Sequence, residues 1–188
     1  MNLFMDTSNN TLILILEQEN KIVDSLYLQN QNKISDIALE ELQKILQKNG
    51  LNLKDITNIY LTKGPGSYTG VRVAVTIAKT LKTINNSFKV YLISSLFFQA
   101  GLDSVVSILD AKGGKVYIGI YDNGICIIQD QLIPLEILED FIENFQKFVI
   151  KKDYLDLDYV YSYLKLKHLF EEATDVEQIE PLYIKSFI

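Results

Sequence analysis

The sequence predicts an α/β fold made of two similar lobes, and three observations lead to this prediction. Short apolar runs alternate with segments of helical period, 48% of the 188 residues are hydrophobic, and the pattern around Asp6 recurs around Asp110. A chain of this length and apolar content can bury a sizeable core. The recurrence predicts an N-terminal lobe of residues 1–101 and a C-terminal lobe of residues 102–188.

The first elements follow from their apolar period. Residues 3–5 and 12–16 are apolar runs that are too short for helices, and a turn at residues 19–21 leads into residues 22–28, so all three segments predict strands. Apolar side chains then recur at helical spacing over residues 34–46, and Gly50 provides a stop signal. Three strands and a helix indicate the start of an α/β lobe.

The rest of the N-terminal lobe contains one ambiguous segment. Residues 56–61 and 89–93 predict strands, and a short helical piece follows through Ala100. Residues 71–82 fit both periods, because their alternating valines favour a strand and their alanines recur at helical spacing. The glycine-rich turn before them and a Ser or Thr N-cap favour a helix, which is the prediction we adopt.

The C-terminal half is predicted to open as the N-terminal half does. An apolar strand ends at Asp110, a four-residue turn follows and a new strand begins, which repeats the order around Asp6. Two unrelated hairpins that use the same turn residues would give the same pattern without an internal repeat. Residues 134–145 predict a helix and residues 148–150 a strand, whereas residues 154–170 mix periods and allow no assignment.

Composition and charge exclude several classes of protein. The 24 acidic and 18 basic residues give a net charge of -6, opposite to that of a stand-alone nucleic-acid binder. A single cysteine excludes an internal disulfide framework, and no apolar run approaches the roughly 18 residues of a membrane helix. The first residues do not fit a signal peptide, so a cytoplasmic protein without membrane contact is expected.

The two residue types most often used in catalysis are poorly placed for it. His168, the single histidine, has no nucleophile or ligand spacing nearby and is interpreted as a surface or packing residue. Cys126 lies in an apolar run and is expected in a strand core. We therefore predict no catalytic residue and no metal site in this chain.

The densest motif is the glycine-rich segment 63–72. Three of the nine glycines lie between positions 64 and 70, and a strand, a glycine-rich turn and a helix can present backbone N–H groups to an anion. Arg72 is the only arginine among 18 basic residues, and its planar fork suits phosphate. A tight turn that lets the helix start against the strand explains the same glycines and is favoured by the local pattern alone.

A second candidate for phosphate or cation binding is the turn at the end of the first strand. A carboxylate followed by two hydroxyls can hold a hydrated cation and phosphate oxygens, although a simple hairpin turn has the same composition. Together with the glycine-rich segment, the candidate nucleotide- or phosphate-binding residues are Asp6, Thr7, Ser8, Gly64, Gly66, Ser67, Thr69, Gly70 and Arg72.

Five motifs occur in a defined order along the chain. They are Asp6-Thr-Ser, the block Gly64-Pro-Gly-Ser-Tyr-Thr-Gly-Val-Arg72, Ser94-Ser95-Leu96, the segment 109–117 and Pro181-Leu-Tyr-Ile-Lys185. Together they resemble the TsaB (YeaZ) family of tRNA threonylcarbamoyladenosine biosynthesis proteins. The Gly-Pro-Gly-Ser-Tyr-Thr-Gly block is specific, and the other motifs are weak singly but correctly spaced over nearly the whole chain.

The resemblance implies an actin-like ATPase (ASKHA) fold of two tandem βββαβα lobes, the second shortened, with a helix over residues 71–82. It implies a non-catalytic subunit of the bacterial complex that attaches threonylcarbamoyl to the adenosine next to the anticodon of tRNA. The implied partners are the catalytic paralogue TsaD, which this subunit binds and activates, and the ATPase TsaE. A homodimer is implied when the chain is alone, and tRNA is contacted only through the complex. No cofactor is implied for this chain alone, while ATP, ADP or Mg²⁺ at the interface with the catalytic subunit stays open.

The resemblance also implies an interface. In the family the first two helices pack against their counterparts in TsaD or in a second copy, and here those helices are residues 34–48 and 70–82. Their apolar residues exceed what one core-facing stripe needs, although extra core coverage explains that surplus too. The implied interface residues are Ile34, Leu39, Leu42, Ile45, Leu46, Val71, Val75, Ala78 and Leu81.

Two departures from the family pattern and two alternative functions accompany this interpretation. Asn32-Lys-Ile-Ser-Asp36 replaces the family's His-Ser-Glu stretch before the first helix, and the second lobe is short before Pro181.

A small-molecule kinase of the actin-like fold, the first alternative, would use Asp6 and the glycine-rich segment to bind ATP. Its adenosine site would need glycines in the second lobe, where the one Gly-Gly pair lies in a predicted hairpin. A self-associating regulator without a tRNA role is the other alternative.

Overall fold

The computed structural model describes residues 1–29 and 33–184, which form two β-sheets and five α-helices. The strands are β1 (Asn2–Asp6), β2 (Leu12–Gln18), β3 (Lys21–Leu28), β4 (Asn58–Thr62), β5 (Lys89–Ile93), β6 (Val105–Lys112), β7 (Lys115–Asp122), β8 (Ile125–Pro134), β9 (Val149–Lys152) and β10 (Glu171–Ala173). The helices are α1 (Ile34–Lys48), α2 (Tyr68–Ile84), α3 (Ser95–Ala100), α4 (Leu138–Ile142) and α5 (Tyr159–Leu166). In these ranges no helix combines the length and the apolar character that crossing a bilayer requires. Asn32 and Lys185, which the sequence motifs include, lie outside the described residues.

The two sheets repeat one topology. The first has the strand order β10-β5-β4-β1-β2-β3 and the second has the order β8-β7-β6-β9. In each, a meander of three antiparallel strands is extended by a fourth strand parallel to the first of the three. The predicted α/β fold and its repeated strand order are therefore confirmed. The division of the chain at residue 101 stays a prediction, and β10, from the C-terminal part, pairs with β5 of the first sheet.

Helices separate the sheets and cover their outer faces. α1 and α2 pack side by side on one face of the first sheet, where their inward side chains join Leu3, Leu14 and Ile59 in an apolar core. α3 and α5 lie between the sheets in a second core that is rich in aromatic side chains, with Phe4 stacked on Phe98. Residues of α4 pack on the outer face of the second sheet. The first sheet is thus covered by helices on both faces.

The ambiguous segment of the sequence is helical. α2 begins after Ser67, whose hydroxyl accepts a hydrogen bond from the Gly70 N–H at 3.4 Å. Val71, Val75 and Ala78 recur at helical spacing and are buried against the first sheet. The helix propensity of valine is only slightly unfavourable, so the burial of one apolar stripe outweighs it.

The prediction of a helix over residues 134–145 is confirmed in part, and two other predictions about the C-terminal half are wrong. Residues 135–145 are helical, but the short α4 lies between two 3₁₀ turns, and Pro134 still belongs to β8. The turn after Asp110 is two residues long instead of four, because β6 continues to Lys112. Cys126 is exposed and not in a strand core, since its strand lies at the edge of the second sheet.

A buried carboxylate ties the end of α5 to the first sheet. Glu17 on β2 is fully buried and accepts hydrogen bonds from Lys167 Nζ at 2.6 Å, Asn2 Nδ2 at 2.6 Å and the Tyr163 hydroxyl at 3.1 Å. Burial raises the pKa of Glu17, but the bonds from Asn2, Lys167 and the Asn20 N–H outweigh burial and hold the pKa below its ordinary value. The carboxylate is therefore ionised inside the protein and paired with a cation from the C-terminal part.

Removing that cation should destabilise the protein in a pH-dependent way. We expect Lys167→Met to lower the free energy of unfolding by about 2–3 kcal/mol at pH 7, measured by urea denaturation. Because the pKa of Glu17 is lowered in the folded state, the stabilisation by the pair is fully present above the ordinary value of 4.5. It is lost as the pH falls through the folded pKa, so the difference between the two proteins shrinks there. Lys165→Met, on the exposed side of α5, is the control and should cost less than about 0.5 kcal/mol. Equal losses in the two variants would contradict the role of the pair.

Candidate functional site

Asp6 ends β1 with its side chain turned into the protein. The residue is 1% exposed. Its Oδ1 accepts hydrogen bonds from the N–H and the hydroxyl of Ser8, both at 2.7 Å, and its Oδ2 accepts one from the Tyr154 hydroxyl at 2.5 Å. Burial raises the pKa of Asp6, and these bonds oppose the rise. Both oxygens of this carboxylate are therefore bonded to donors of the protein itself.

Thr7 connects the same turn to α2. Its hydroxyl donates to the Gly70 carbonyl at 2.7 Å and accepts from the Ala74 N–H at 3.1 Å. An uninterrupted α-helix would bond that carbonyl and that N–H directly to each other, since they are four residues apart. The Thr7 hydroxyl thus bridges the first part of the helix and fixes α2 to the end of β1.

The glycine-rich segment packs directly on this turn. The Ser67 N–H donates to the Ser8 carbonyl at 2.6 Å. A Cβ on Gly66 would overlap the Ser8 carbonyl oxygen, and a Cβ on Gly70 would overlap the Thr7 carbonyl oxygen. The glycines therefore allow two backbones to touch, which favours the tight-turn interpretation of the motif over anion binding.

Tyr154 reaches the turn from the second sheet. It follows β9, has a φ of 60° and is 1% exposed. Its N–H donates to Oε1 of the buried Gln99 at 2.6 Å, and its hydroxyl lies 3.3 Å from the Ser8 hydroxyl. Burial raises the pKa of this hydroxyl well above its ordinary value, so it stays protonated and can donate to Asp6. A positive φ is unfavourable for a bulky residue, so the surrounding contacts must hold this turn in place.

A polar cleft of about 630 Å³ opens beside this contact. Tyr68 lines it from the first-sheet side, Asp110, Lys112 and Tyr117 line it from the second sheet, and Tyr154 contributes from its buried turn. Lys112 donates to Asp110 at 2.8 Å, so this cation is already paired. The cleft has room for a small molecule, but the Asp6 carboxylate does not line it.

The structure separates the nine residues that the sequence suggests for phosphate binding. Asp6, Thr7 and Ser8 are buried and bonded within the protein. Gly66 and Ser67 line the cleft, whereas Thr69 and Arg72 line a groove between α1 and α2. The set does not form one cradle, and phosphate binding by it stays a prediction.

Most residues implied at an interface face the protein's own core. Those at most 6% exposed are Ile34, Leu42, Ile45, Leu46, Val71, Val75 and Ala78. Leu81 is partly buried, whereas Leu39 is 62% exposed. The surplus of apolar residues on the two helices is thus largely core coverage of the first sheet, and Leu39 is the exposed member of the set.

Two apolar grooves meet at Leu39 on the outer surface of α1 and α2. One, of about 310 Å³, lies between the helices and is lined by Leu39, Val73 and Ile77, with Tyr68 and Arg72 also on its wall. The other, of about 510 Å³, lies between α1 and the segment that follows it. An exposed leucine beside apolar grooves is a side chain that a protein partner can bury.

Sequence reasoning missed the roles of three tyrosines. Tyr154 lies in the segment that allowed no assignment. Tyr68 and Tyr183 stack with ring centroids 5.3 Å apart and are 63% and 50% exposed. The position of Tyr68 in a polar turn before a helix is a signal for an exposed aromatic, but no local pattern links it to Tyr183.

A partly buried carboxylate lies between the sheets and serves a helix end. Asp130 on β8 accepts hydrogen bonds from the hydroxyls of Ser94 and Tyr121, and Ser94 is the N-cap of α3. Burial raises the pKa of Asp130, and the two hydroxyls oppose the rise. In the described ranges no three His, Cys, Asp or Glu side chains group to hold a metal ion, and His168 is exposed.

Comparisons with known sequences point to one family. Residues 30–167 match the family model described as TsaD: tRNA N6-adenosine threonylcarbamoyltransferase. The chain is 31% identical to the uncharacterized protein MG208 of Mycoplasma genitalium over 97% of this chain and 94% of that protein. It is 34% identical to the tRNA threonylcarbamoyladenosine biosynthesis protein TsaB of Bacillus subtilis over 75% of this chain and 64% of that protein.

Solved structures show the same fold. YeaZ from Pseudomonas aeruginosa superposes with a TM-score of 0.72 at 20% identity, covering 97% of this chain and 99% of that one. An uncharacterized protein with similarity to peptidase YEAZ, from the same organism, superposes with a TM-score of 0.77 at 20% identity, covering 98% and 99%. With the repeated strand order, this likeness confirms the actin-like ATPase fold.

The backbone contact predicts a specific cost for a methyl group at Gly66. Gly66→Ala places a Cβ on the Ser8 carbonyl oxygen, and we expect the free energy of unfolding to fall by about 3 kcal/mol because backbone cannot move aside as a side chain can. At Gly50, which has a φ of +66° and no neighbour near a Cβ, the same change should cost only about 1–2 kcal/mol of backbone strain. Urea denaturation of both variants measures the difference, and equal losses would count against the contact.

The bond between the sheets can be tested by removing one hydroxyl. Tyr154→Phe keeps the ring but takes a donor from the buried Asp6, so we expect the free energy of unfolding to fall by about 2 kcal/mol. Tyr161→Phe removes a hydroxyl from a tyrosine that is 52% exposed and should change stability by less than about 0.5 kcal/mol. A Tyr154→Phe protein as stable as the wild type would show that the bond contributes nothing.

Proposed function

This chain belongs to the TsaB (YeaZ) family, whose named members are tRNA threonylcarbamoyladenosine biosynthesis proteins, and we propose that it is the non-catalytic subunit that dimerises with and activates a TsaD-type catalytic paralogue. Its role is in tRNA modification. The paralogue carries out the chemistry, and this chain supplies a binding surface.

The observation that carries the proposal is the exposed surface of α1 and α2. Leu39 is 62% exposed where two apolar grooves meet, and Val73 and Ile77 continue the apolar lining on α2. Burial of exposed apolar surface is the main driving force of protein association. Two neighbouring helices with such a surface suit a partner that presents helices of its own.

The burial of Asp6 supports a non-catalytic role. A catalytic or metal-binding carboxylate must reach its ligand, whereas both oxygens of Asp6 are bonded to Ser8 and Tyr154 inside the protein. The same geometry disfavours the small-molecule kinase, which would need this carboxylate and the glycine-rich segment to meet ATP.

The remaining parts of the proposal concern further partners. A TsaE-type ATPase joins the assembly, tRNA is contacted through the complex, and the chain pairs with a second copy when alone. The acidic net charge of -6 supports indirect contact with tRNA, because nucleic acid repels an acidic surface.

Leu39→Glu tests the partner surface directly. A carboxylate in the middle of an apolar interface should weaken binding to the TsaD-type paralogue at least roughly 100-fold and abolish threonylcarbamoyl incorporation into tRNA by the purified components. Ile125→Glu makes the same change at a side chain of similar exposure (64% against 62%) on the second sheet and should leave both readouts unchanged.

Two outcomes would contradict the proposal. One is a folded Leu39→Glu protein that binds the paralogue as the wild type does. The other is full incorporation by the remaining components in the absence of this chain. Leu42→Glu is less informative, because Leu42 is 3% exposed and its substitution would disrupt the core.

A further inference from the structure

Arg72 occupies an unusual place for the single arginine of an acidic chain. It lies in the second turn of α2, nearer the N-terminal end, where the helix dipole gives a cation no stabilisation. α2 contains no acidic residue, so no neighbour on its own helix neutralises Arg72. Within residues 1–29 and 33–184, no carboxylate lies within 4 Å of its guanidinium. The helix dipole and internal ion pairing therefore do not explain this residue.

Two tyrosines hold Arg72 at the surface. Its guanidinium lies 5.3 Å from the centroid of the Tyr68 ring and donates to the Tyr68 hydroxyl at 3.2 Å. Tyr183 stacks on Tyr68, with the two rings inclined by 25°. A cation over an aromatic ring is stabilised and loses side-chain freedom before it meets a ligand.

The C-terminal segment fixes Tyr183 in this position. The Leu182 N–H donates to the Lys63 carbonyl at 2.6 Å, and Ile179 is fully buried in the core beneath α1 and α2. The segment therefore carries an aromatic ring to α2 from the far end of the chain. We call Arg72, Tyr68 and Tyr183 the arginine stack.

The arginine stack adjoins the apolar groove between α1 and α2. Tyr68 and Arg72 line this groove together with Leu39, Val73 and Ile77. Interfaces commonly combine such an apolar centre with arginine and tyrosine anchors. The adjoining apolar residues fit a protein partner better than a nucleic-acid backbone, which offers no apolar surface of this kind.

We propose that Arg72, held by Tyr68 and Tyr183, is the ion-pairing anchor of the partner surface and binds a carboxylate on the facing helices of the TsaD-type paralogue. This inference rests on the proposed function. Arg72 makes the contact through its planar fork, and Tyr183 is a positioning residue that acts through Tyr68. The ion pair fixes the alignment of α1 and α2 with the facing helices of the paralogue. Apolar contacts alone are not directional and would allow several alignments.

Calorimetric titration of the full chain with the paralogue tests this role. Arg72→Gln should weaken binding roughly 10- to 100-fold, because it leaves a partner carboxylate buried without a cation. The wild-type affinity should fall more steeply with added NaCl than that of the variant. The affinity of Arg72→Lys should lie between those of the wild type and Arg72→Gln, since lysine keeps the charge and loses the planar fork. Lys89→Gln removes an exposed cation at the start of β5 and is the control for net charge, with unchanged affinity.

Tyr183→Ala tests whether Tyr183 acts on binding by positioning Arg72 or only by stabilising the fold. It should weaken binding roughly 3- to 10-fold in the wild type and have little further effect in Arg72→Gln, because it acts through the same guanidinium. Additive effects of the two substitutions would overturn the positioning role. All substituted residues are exposed, so circular dichroism should show the wild-type fold.

The outcomes distinguish this inference from the proposed function. If Leu39→Glu abolishes binding and Arg72→Gln binds as the wild type does, the ion pair is refuted and the partner surface stands. If neither variant changes binding, the proposed function fails as well. If Arg72→Gln leaves the affinity for the paralogue unchanged but weakens retention of tRNA by the assembled complex, Arg72 contacts a phosphate and the carboxylate proposal is overturned.

Discussion

The structure depends on one close contact between two backbones, where the glycine-rich segment before α2 lies on the turn that ends β1. Gly66 and Gly70 allow this approach because neither carries a Cβ. The contact determines where α2 begins, and the Thr7 hydroxyl bridges the first part of that helix. It also leaves Asp6 turned inward, where Tyr154 reaches it from the second sheet. One turn therefore joins a strand, a helix and both sheets.

This contact gives the glycine-rich segment two different faces. On its inner face, protein carbonyls and hydroxyls take the positions that an anion would need, and the Asp6 carboxylate contributes to cohesion between the sheets. On its outer face, the start of α2 brings Tyr68 and Arg72 to the surface beside Leu39. The glycine-rich segment thus lines the cleft at Gly66, Ser67 and Tyr68, and its end at Arg72 faces the proposed partner surface.

Local sequence patterns predicted most of the strands and helices. They did not predict how exposed a side chain is where that depends on the position of its strand or helix in the whole fold. β8 has an apolar sequence, yet Cys126 is exposed because the strand lies at a sheet edge. Residues 134–145 have helical spacing, but one strand end and two 3₁₀ turns share that segment with α4. The apolar residues of α1 and α2 suggested an interface, and the wide first sheet buries most of them.

The sequence by itself determined the order of strands and helices as far as β9, the repeat of Asp6 at Asp110 and the need for glycine before α2, because each depends on residues that are close in the chain. Only the tertiary structure decided that Tyr154 binds Asp6, that Tyr183 stacks on Tyr68, and that one leucine of α1 stays exposed. Those properties come from side chains that meet only after the sheets and helices have packed. A linear pattern records period and composition, but it does not record which distant residues become neighbours.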